Sequence, residues 1–553
     1  MNGREIDGIL FKKMLVSGLK RLKSNAEEVN DLNVFPIPDG DTGDNMCSTL
    51  YGGVKNIANS EDDVLGNIAK PVGEGVLLGA RGNSGVILSQ MIYGVCEEFS
   101  CHERADAVTL GKAFSRGVEK AYSSVSVPVE GTMLTVLREA TEFANGKITK
   151  NGTVCEYLDN FLKEGEKSLE RTPELLPVLK EAGVVDSGGA GVLHIVRGFL
   201  SAVNGETDDD ISEIEVASSS KDIDFSLFDE NSVMKFGYCT EFLLQLTHAK
   251  TDISAFSLEK MKEEISVFGD SLVAVKTGSV IKIHIHTLTP GAVLEYAQQF
   301  GEFLTLKIEN MTLQHNETLE KKREVVFRKN LVRKKYATVA VADGSGIIGT
   351  FKELGADIVI DGGQGNNPSV ETFLNAFDAV NADVIFVLPD NNNILMAANE
   401  AAKLYTGSVV KVLNAKSAGD GYCALAAMDF SVDDTDKIAA AMQGEINDSV
   451  CACISRSIRN SNSNGLEIKD GNYIGFVDKD ILVADADREK ALRLLLKSVH
   501  AEEKYFIIVF FGKDIKEAER KESERFIKKS YPQAEFYGLD GGQEIYDYLI
   551  VLQ

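Results

Sequence analysis

Asn33-Val34-Phe35-Pro36-Ile37-Pro38-Asp39-Gly40-Asp41-Thr42-Gly43-Asp44-Asn45-Met46 is the stretch around which the rest of the chain reads as organised. Pro36 and Pro38 stiffen the approach. Asp39 and Asp41 then stand on alternate residues around one glycine, and a polar turn runs into the apolar Met46. Both carboxylates are hard oxygen ligands, close enough in sequence to share a cation or hold two adjacent ones. Such ligands suit Mg²⁺, which keeps several waters and binds substrate phosphates. Gly40 and Gly43 permit tight turns, and such turns can turn N–H groups toward an anion. A D-G-D triplet is equally the mark of a solvated turn with no chemistry.

Outward from this loop the periodicity is helical. Ile6, Ile9, Leu10 and Met14 recur at helical spacing before it. Cys47 to Ala58, Val86 to Phe99, Ala107 to Val125, Thr132 to Ala144 and Val154 to Leu169 show little β-branched alternation. The first 205 residues therefore read as a mostly helical domain with polar motifs in its interhelical loops.

Three more such motifs follow. Gly79-Ala80-Arg81-Gly82-Asn83-Ser84-Gly85 opens the apolar Val86-Ile87-Leu88 run. A glycine-rich loop at a helix start offers free N–H groups and the positive dipole end to an anion, and Arg81 adds a bidentate donor. It lacks the lysine of a P-loop, and a flexible helix cap is the competing reading. Gly131-Thr132-Met133-Leu134 places a hydroxyl where an N-cap is expected. Val184-Val185-Asp186-Ser187-Gly188-Gly189-Ala190-Gly191 leads into the helix Val192 to Val203, either as a capped turn or as a wall for a nucleotide's sugar and base. Four Gly-rich or acidic loops at helix starts of one domain are hard to explain as four separate caps.

The set resembles the nucleotide-binding subunit of dihydroxyacetone kinases, and N-V-F-P-I-P-D-G-D-T-G followed by G-A-R-G-N-S-G is similar to the fatty acid kinase A subunit of Gram-positive bacteria, over essentially the whole chain. The resemblance implies an all-α helical barrel that holds ATP through two Mg²⁺ ions. It makes Asp39 and Asp41 the catalytic, Mg²⁺-binding carboxylates. The dihydroxyacetone kinases' third acidic ligand falls near Val34, which cannot ligate, so the nearest oxygen donor, Asn33, takes its place. Thr42, Asn45, Asn83, Ser84 and Thr132 are expected at the phosphates, with Gly43, Arg81, Gly82, Gly85 and Met133 in the same loops. Asp186 and Gly188 are expected on the nucleoside side. Asp44 stands where Thr is usual, and a carboxylate there would repel phosphate or recruit metal.

Residues 206–222, acidic and then serine-rich, read as a linker to a small α+β domain over 223–320. Lys235 to Phe242 reads as a strand, Leu272 to Val275 and Val280 to His286 as a hairpin, and 290–303 as a helix. His284 and His286, at i and i+2, face one side of a strand, and with Cys239 they supply three ligands of the type zinc prefers. Two hydrogen-bonded histidines near an unrelated thiol is the alternative, and the resemblance favours Zn²⁺. The basic run 321–335 reads as a second linker. Residues 336–553 repeat apolar run, polar loop and helix, the pattern of a parallel α/β sheet, followed by a further α/β or α+β lobe. The loops Asp361 to Ser369 and Pro389 to Asn393 lie at strand ends, where open sheets form crevices. Cys451 and Cys453 read as packing residues. The resemblance assigns this domain to docking a separate fatty-acid-binding protein.

The chain has 553 residues, a net charge of −26, 44% hydrophobic and 26% charged residues. That suits several globular domains and disfavours nucleic acid and anionic membrane as partners. The start carries no signal-peptide pattern, and no apolar run reaches the roughly 20 residues of a membrane span. A reduced cytoplasmic setting follows for its scattered cysteines. A homodimer is compatible with this reading. The expected activity is ATP-dependent phosphorylation of a fatty acid carboxylate; a small polyol kinase and a nucleotide-responsive scaffold without turnover are the alternatives.

Overall fold

The computed structural model describes residues 5–33, 40–206, 238–253, 255–310, 333–363, 365–463 and 465–553. Asp39, most of the acidic linker and residues 321–332 of the basic one lie outside them. The chain divides into two compact units, one drawn from 1–217 and 333–553, the other from 218–332.

In the first unit the N-terminal part is helical: α1 (Gly8–Ser24), α2 (Ala26–Asp31), α3 (Thr42–Asn56), α4 (Leu65–Gly79), α5 (Gly82–Phe99), α6 (Ala107–Ser123), α7 (Met133–Lys147), α8 (Val154–Leu175), α9 (Pro177–Ala182) and α10 (Ser187–Asn204). A two-residue antiparallel pair, β1 (Glu5–Ile6) with β2 (Ala105–Asp106), is added to the all-α expectation. The apolar stripes of these helices meet in one core that includes Leu19, Leu50, Phe99, Leu137, Phe161 and Leu193. Their backbones approach closely at facing glycines. A Cβ on Gly198 of α10 would lie 2.6 Å from the Gly18 Cα of α1. One on Gly52 of α3 would lie 2.5 Å from the Gly75 carbonyl of α4, and one on Gly94 of α5 would lie 2.7 Å from the Gly117 Cα of α6.

The second unit is an antiparallel sheet, β3 (Tyr238–Leu246), β4 (Gly269–Thr277), β5 (Val280–Thr287) and β6 (Gly301–Asn310), in the order β4-β5-β3-β6. Helices α11 (Leu258–Ile265) and α12 (Pro290–Gln298) accompany it. The helix expected over 290–303 ends at Gln298, because Gly301 opens β6, whose backbone pairs with β3.

The C-terminal part returns to the first unit. Strands β7 (Lys334–Ala342), β8 (Ile358–Asp361), β9 (Ala382–Leu388) and β10 (Val409–Val412) form the expected parallel sheet, in the order β10-β9-β7-β8. Lys334 and Lys335, expected in the linker, begin β7. A second sheet takes β11 (Val450–Arg456), β14 (Tyr473–Val477), β15 (Asp480–Asp485), β16 (Phe506–Phe511), β17 (Glu535–Asp540) and β18 (Tyr546–Leu552), in the order β15-β14-β11-β18-β16-β17. It is antiparallel except between β16 and β17. A short hairpin of β12 (Ser461–Ser463) and β13 (Leu466–Ile468) stands beside it. Among the described residues no helix is long and apolar enough to cross a membrane.

The glycine crossings carry a stability prediction. Gly198→Val should lower the urea midpoint of the full chain by the equivalent of about 2–3 kcal/mol, an overpacking cost. Gly146→Ala on α7, where a Cβ would meet nothing within 4 Å, should raise it by about 0.5–1 kcal/mol through helix propensity.

Candidate functional site

Helices of the N-terminal domain differ in how their first turns are closed. Asp7, Asp106 and Thr153 accept N–H groups of α1, α6 and α8, the last in a full capping box. The residues preceding α3, α5 and α7, namely Asp41, Arg81 and Thr132, make no such side-chain cap. The Thr132 hydroxyl donates instead to the Val129 carbonyl at 2.7 Å. Asp186 does cap α10, accepting the Gly189 N–H at 2.7 Å.

These four helix starts meet. The Ser187 hydroxyl donates to Thr42 Oγ1 at 3.3 Å, joining α10 to α3. Gly188 lies against Met133, where a Cβ would come within 2.8 Å of the methionine methyl, and Asp186 also accepts the Met133 N–H. Between α3 and α5, the Arg81 N–H donates to Thr49 Oγ1 at 3.3 Å. Gly82 has φ +59°, and a Cβ there would come within 2.5 Å of the Asn45 amide. Gly85 has the same need, facing Thr49 Oγ1 at 2.4 Å. Thr42, Gly43 and Asn45 are buried, and Asn83 and Ser84 lie in the first turn of α5. The structure thus brings together described candidates of all four motifs, Asn33 apart.

Asp44, at the position where Thr is usual, is exposed; Asn30 donates to its carboxylate at 2.9 Å and accepts the Gly43 N–H at 2.7 Å. Asn33 meets the C-terminal domain through its backbone. Its carbonyl accepts from Arg459, and the residue lines a cavity of about 170 Å³ in the C-terminal domain. That cavity sits at the carboxyl ends of β7 and β9, with Asp343, Gly363 and Asp390 to Asn393 on its wall, in keeping with the crevice expected there.

A contribution from far along the chain escaped the sequence reading. Asn367, in the loop after β8, donates through Nδ2 to the Asp41 carboxylate, and Asn393 accepts from Asn83 Nδ2 at 3.4 Å. The Val370 N–H donates to the Ala80 carbonyl at 3.2 Å, and Gln90 donates to Glu400 at 2.9 Å. Ala80 and Val86 are buried in the apolar core shared with Val370, Phe373, Ile394 and Ala397. The signal was the Asn-rich composition of those loops, which by itself marks only turns.

Electrostatically the site is mixed. Burial pulls the Arg81 guanidinium down, with Glu371 acting against it, yet an arginine stays charged. Burial pushes the Asp186 carboxyl up to about 6, against two backbone N–H bonds that favour its anion. Two amide oxygens, Asn83 Oδ1 and Asn367 Oδ1, are buried without a hydrogen-bond partner. Uncapped helix starts, a carboxylate and orphaned amide oxygens together fit a phosphate with a hydrated divalent ion.

In the second unit the backbone register sets Cys239 opposite His286 and Glu241 opposite His284. The side chains of Cys239, His284 and His286 lie outside the described residues. Among the described ones no His, Cys, Asp and Glu cluster could hold a metal. Cys451 and Cys453 lie on β11, Cys453 buried as expected of packing.

Three family models match the chain: the DAK2 domain over residues 36–201, the middle domain of fatty acid kinase A-subunit-like proteins over 235–318, and the C-terminal domain of the same proteins over 337–553. "Protein YloV" of Bacillus subtilis (strain 168) is 36% identical over 561 residues, covering 100% of both chains. An uncharacterized protein of Staphylococcus aureus (strain USA300) is 35% identical over 556 residues, 99% of this chain and 100% of its own. Among solved structures, the dihydroxyacetone kinase from C. freundii in complex with AMP-PNP and Mg2+ matches with a TM-score of 0.27 at 18% identity, over 34% of this chain and 33% of that one. A likeness that slight has no bearing on the chemistry.

The raised Asp186 carboxyl sets a pH dependence. The folded chain keeps its proton where the unfolded chain, titrating at the ordinary 3.8, has lost it, so stability falls as pH rises from about 4 to about 6 and is level above. Asp186→Asn keeps an N-cap acceptor and removes the titration. In urea melts at pH 4.5 and 7.5 its advantage over the wild type should grow between the two, by about 1–3 kcal/mol at 1.36 kcal/mol per pKa unit.

Proposed function

We propose a function from one premise: the chain belongs to the family of fatty acid kinase A-subunit-like proteins. Its reaction, in this reading, is ATP-dependent phosphorylation of the carboxylate of a fatty acid presented by a separate fatty-acid-binding protein, giving an acyl phosphate and ADP. The observation that carries it is the meeting of three uncapped helix starts and Asp186 around Thr42 and the Asp41 carboxylate.

The residues divide by position. The first-turn N–H groups of α3, α5 and α7, with Thr42, Asn45, Asn83 and Ser84, would receive phosphate oxygens, and Arg81 would add charge. Gly43, Gly82 and Gly85 keep the backbone close enough for that. Thr132 would stand with the phosphate contacts, and Asp186 and Gly188, with Met133 beside them, would border the nucleoside. Asp41 would hold Mg²⁺, with Asp39 from the adjoining loop; a divalent ion there supplies neutralisation of charge on the transferred phosphoryl group. A fatty acid carboxylate is ionised at neutral pH and attacks phosphorus without losing a proton, so none of these residues need act as a base.

A family described by one kind of subunit implies another kind, and we assign the role of carrying the acyl group to it. Zinc in the middle unit belongs to the same reading, supported by the register that pairs Cys239 with His286. The cytoplasmic assignment fits the cysteines, which are free thiols wherever their side chains are described.

The test is hydroxylamine trapping of acyl phosphate from the full chain with ATP, Mg²⁺ and a fatty acid carried by a binding protein from the native cell. Asp41→Ala should lower the trapped product about 100-fold or more while the melting temperature holds, as for loss of a group that stabilises transition-state charge. Undiminished product in that variant, or phosphorylation of dihydroxyacetone in place of the acid, would overturn the reading.

A further inference from the structure

Asp41 is the residue that precedes α3, yet its side chain makes no cap bond to the helix. A donor outside the helix can hold a carboxylate in that position. The Asn367 Nδ2 donor does so from the C-terminal domain. Asn367 is only 2% exposed, and its loop is fixed at both sides. On one side β8 ends at Asp361; on the other Ser369 caps the helix Val370–Val380, whose first N–H is bonded to Ala80.

The chemistry of the contact is selective. Lys or Arg at position 367 would neutralise the carboxylate and compete with a cation. A neutral amide orients it and leaves its charge in place, as the outer partners of metal-binding carboxylates do. The Oδ1 atom of the same Asn367 side chain is buried without a partner, as is that of Asn83 in the first turn of α5, and buried acceptors are normally satisfied. Metal-bound waters are donors of the right kind.

Resting on the kinase reading, we propose that Asn367 is a positioning residue for Asp41, supplied by the C-terminal domain where it docks on α4 and α5.

The experiment uses the full chain and Mn²⁺ as probe, titrated by electron paramagnetic resonance with a non-hydrolysable ATP analogue present. Asn367→Ala should weaken Mn²⁺ binding about tenfold, the lower end of outer-partner effects. Gln90→Ala removes a contact of the same interface away from the loop and should leave Mn²⁺ affinity within twofold of the wild type. Melting without metal checks the fold, and Asn367→Ser, too short to reach Asp41, serves if the alanine variant melts early. Unchanged or tighter Mn²⁺ binding in both Asn367 variants would overturn the proposal while leaving the kinase reading in place. So would an equal loss in Gln90→Ala. A wild-type chain that binds no Mn²⁺ with nucleotide would overturn both.

Discussion

First-turn N–H groups that no side chain covers must be satisfied from outside the helix. The residue before the helix covers them at α1, α6 and α8 and does not at α3, α5 and α7, where single N–H groups of α3 and α7 go to Asn30 and Asp186 instead. Those three starts meet one another and the capped start of α10. Glycine at positions 43, 82, 85 and 188 lets them meet, because a Cβ at each would strike a neighbouring element. The tight helix crossings at Gly18, Gly52 and Gly94 have the same cause at the other scale: they hold the axes close enough that the ends converge at one place. Packing and chemistry therefore share a residue type, and the barrel is the frame that aims its own dipoles.

The C-terminal domain reaches this place through burial rather than charge. Ala80 and Val86 are apolar residues flanking a polar loop, and they lie in the core of the other domain with Phe373 and Ile394. The helix Val370–Val380 packs on α4 and Asn392–Leu404 on α5. With those apolar contacts made, the polar ones around them fall into register: Asn367 on Asp41, Asn393 on Asn83, Arg459 on the carbonyls of Asp31 and Asn33. The carboxyl-end loops of a parallel sheet, ordinarily a ligand crevice, here face another domain's helix starts.

Much of this was legible in the sequence, for physical reasons. Amphipathic helices such as α5, α6 and α8 repeat their apolar residues at 3.6, a period no strand shares. The parallel strands β7 to β10 alternate with helices. The acidic and glycine-rich loops announce their backbone freedom by composition. What stayed hidden was pairing at distance. Asn367 and Asp41 are separated by 326 positions, and nothing local to a Gly-Asn-Asn-Pro turn says which carboxylate it will meet. The start of β6 reads as the end of a helix because Val293, Ala297, Phe300, Phe303 and Leu304 carry the apolar spacing of a helix across the turn and into the strand. Thr132 reads as a cap because composition shows a hydroxyl at a helix start, while only the folded backbone shows that it bonds backward to Val129.

A chain with a net charge of −26 must build any polyanion site against its own field. Each described carboxylate near the helix starts is handled separately. Asp44 is turned to solvent and tied by Asn30, which uses its other end to satisfy Gly43. Asp186 is spent on the start of α10, and loss of solvent raises its carboxyl to about 6. Glu371 stands close enough to Arg81 to keep its guanidinium from losing all its support to burial. Asp41 is held by a neutral amide from the other domain, and that contact neither turns its charge away nor pairs it off. A charged carboxylate attracts a cation and helix starts attract a phosphate, so in the reading proposed above one metal–phosphate pair would suit both.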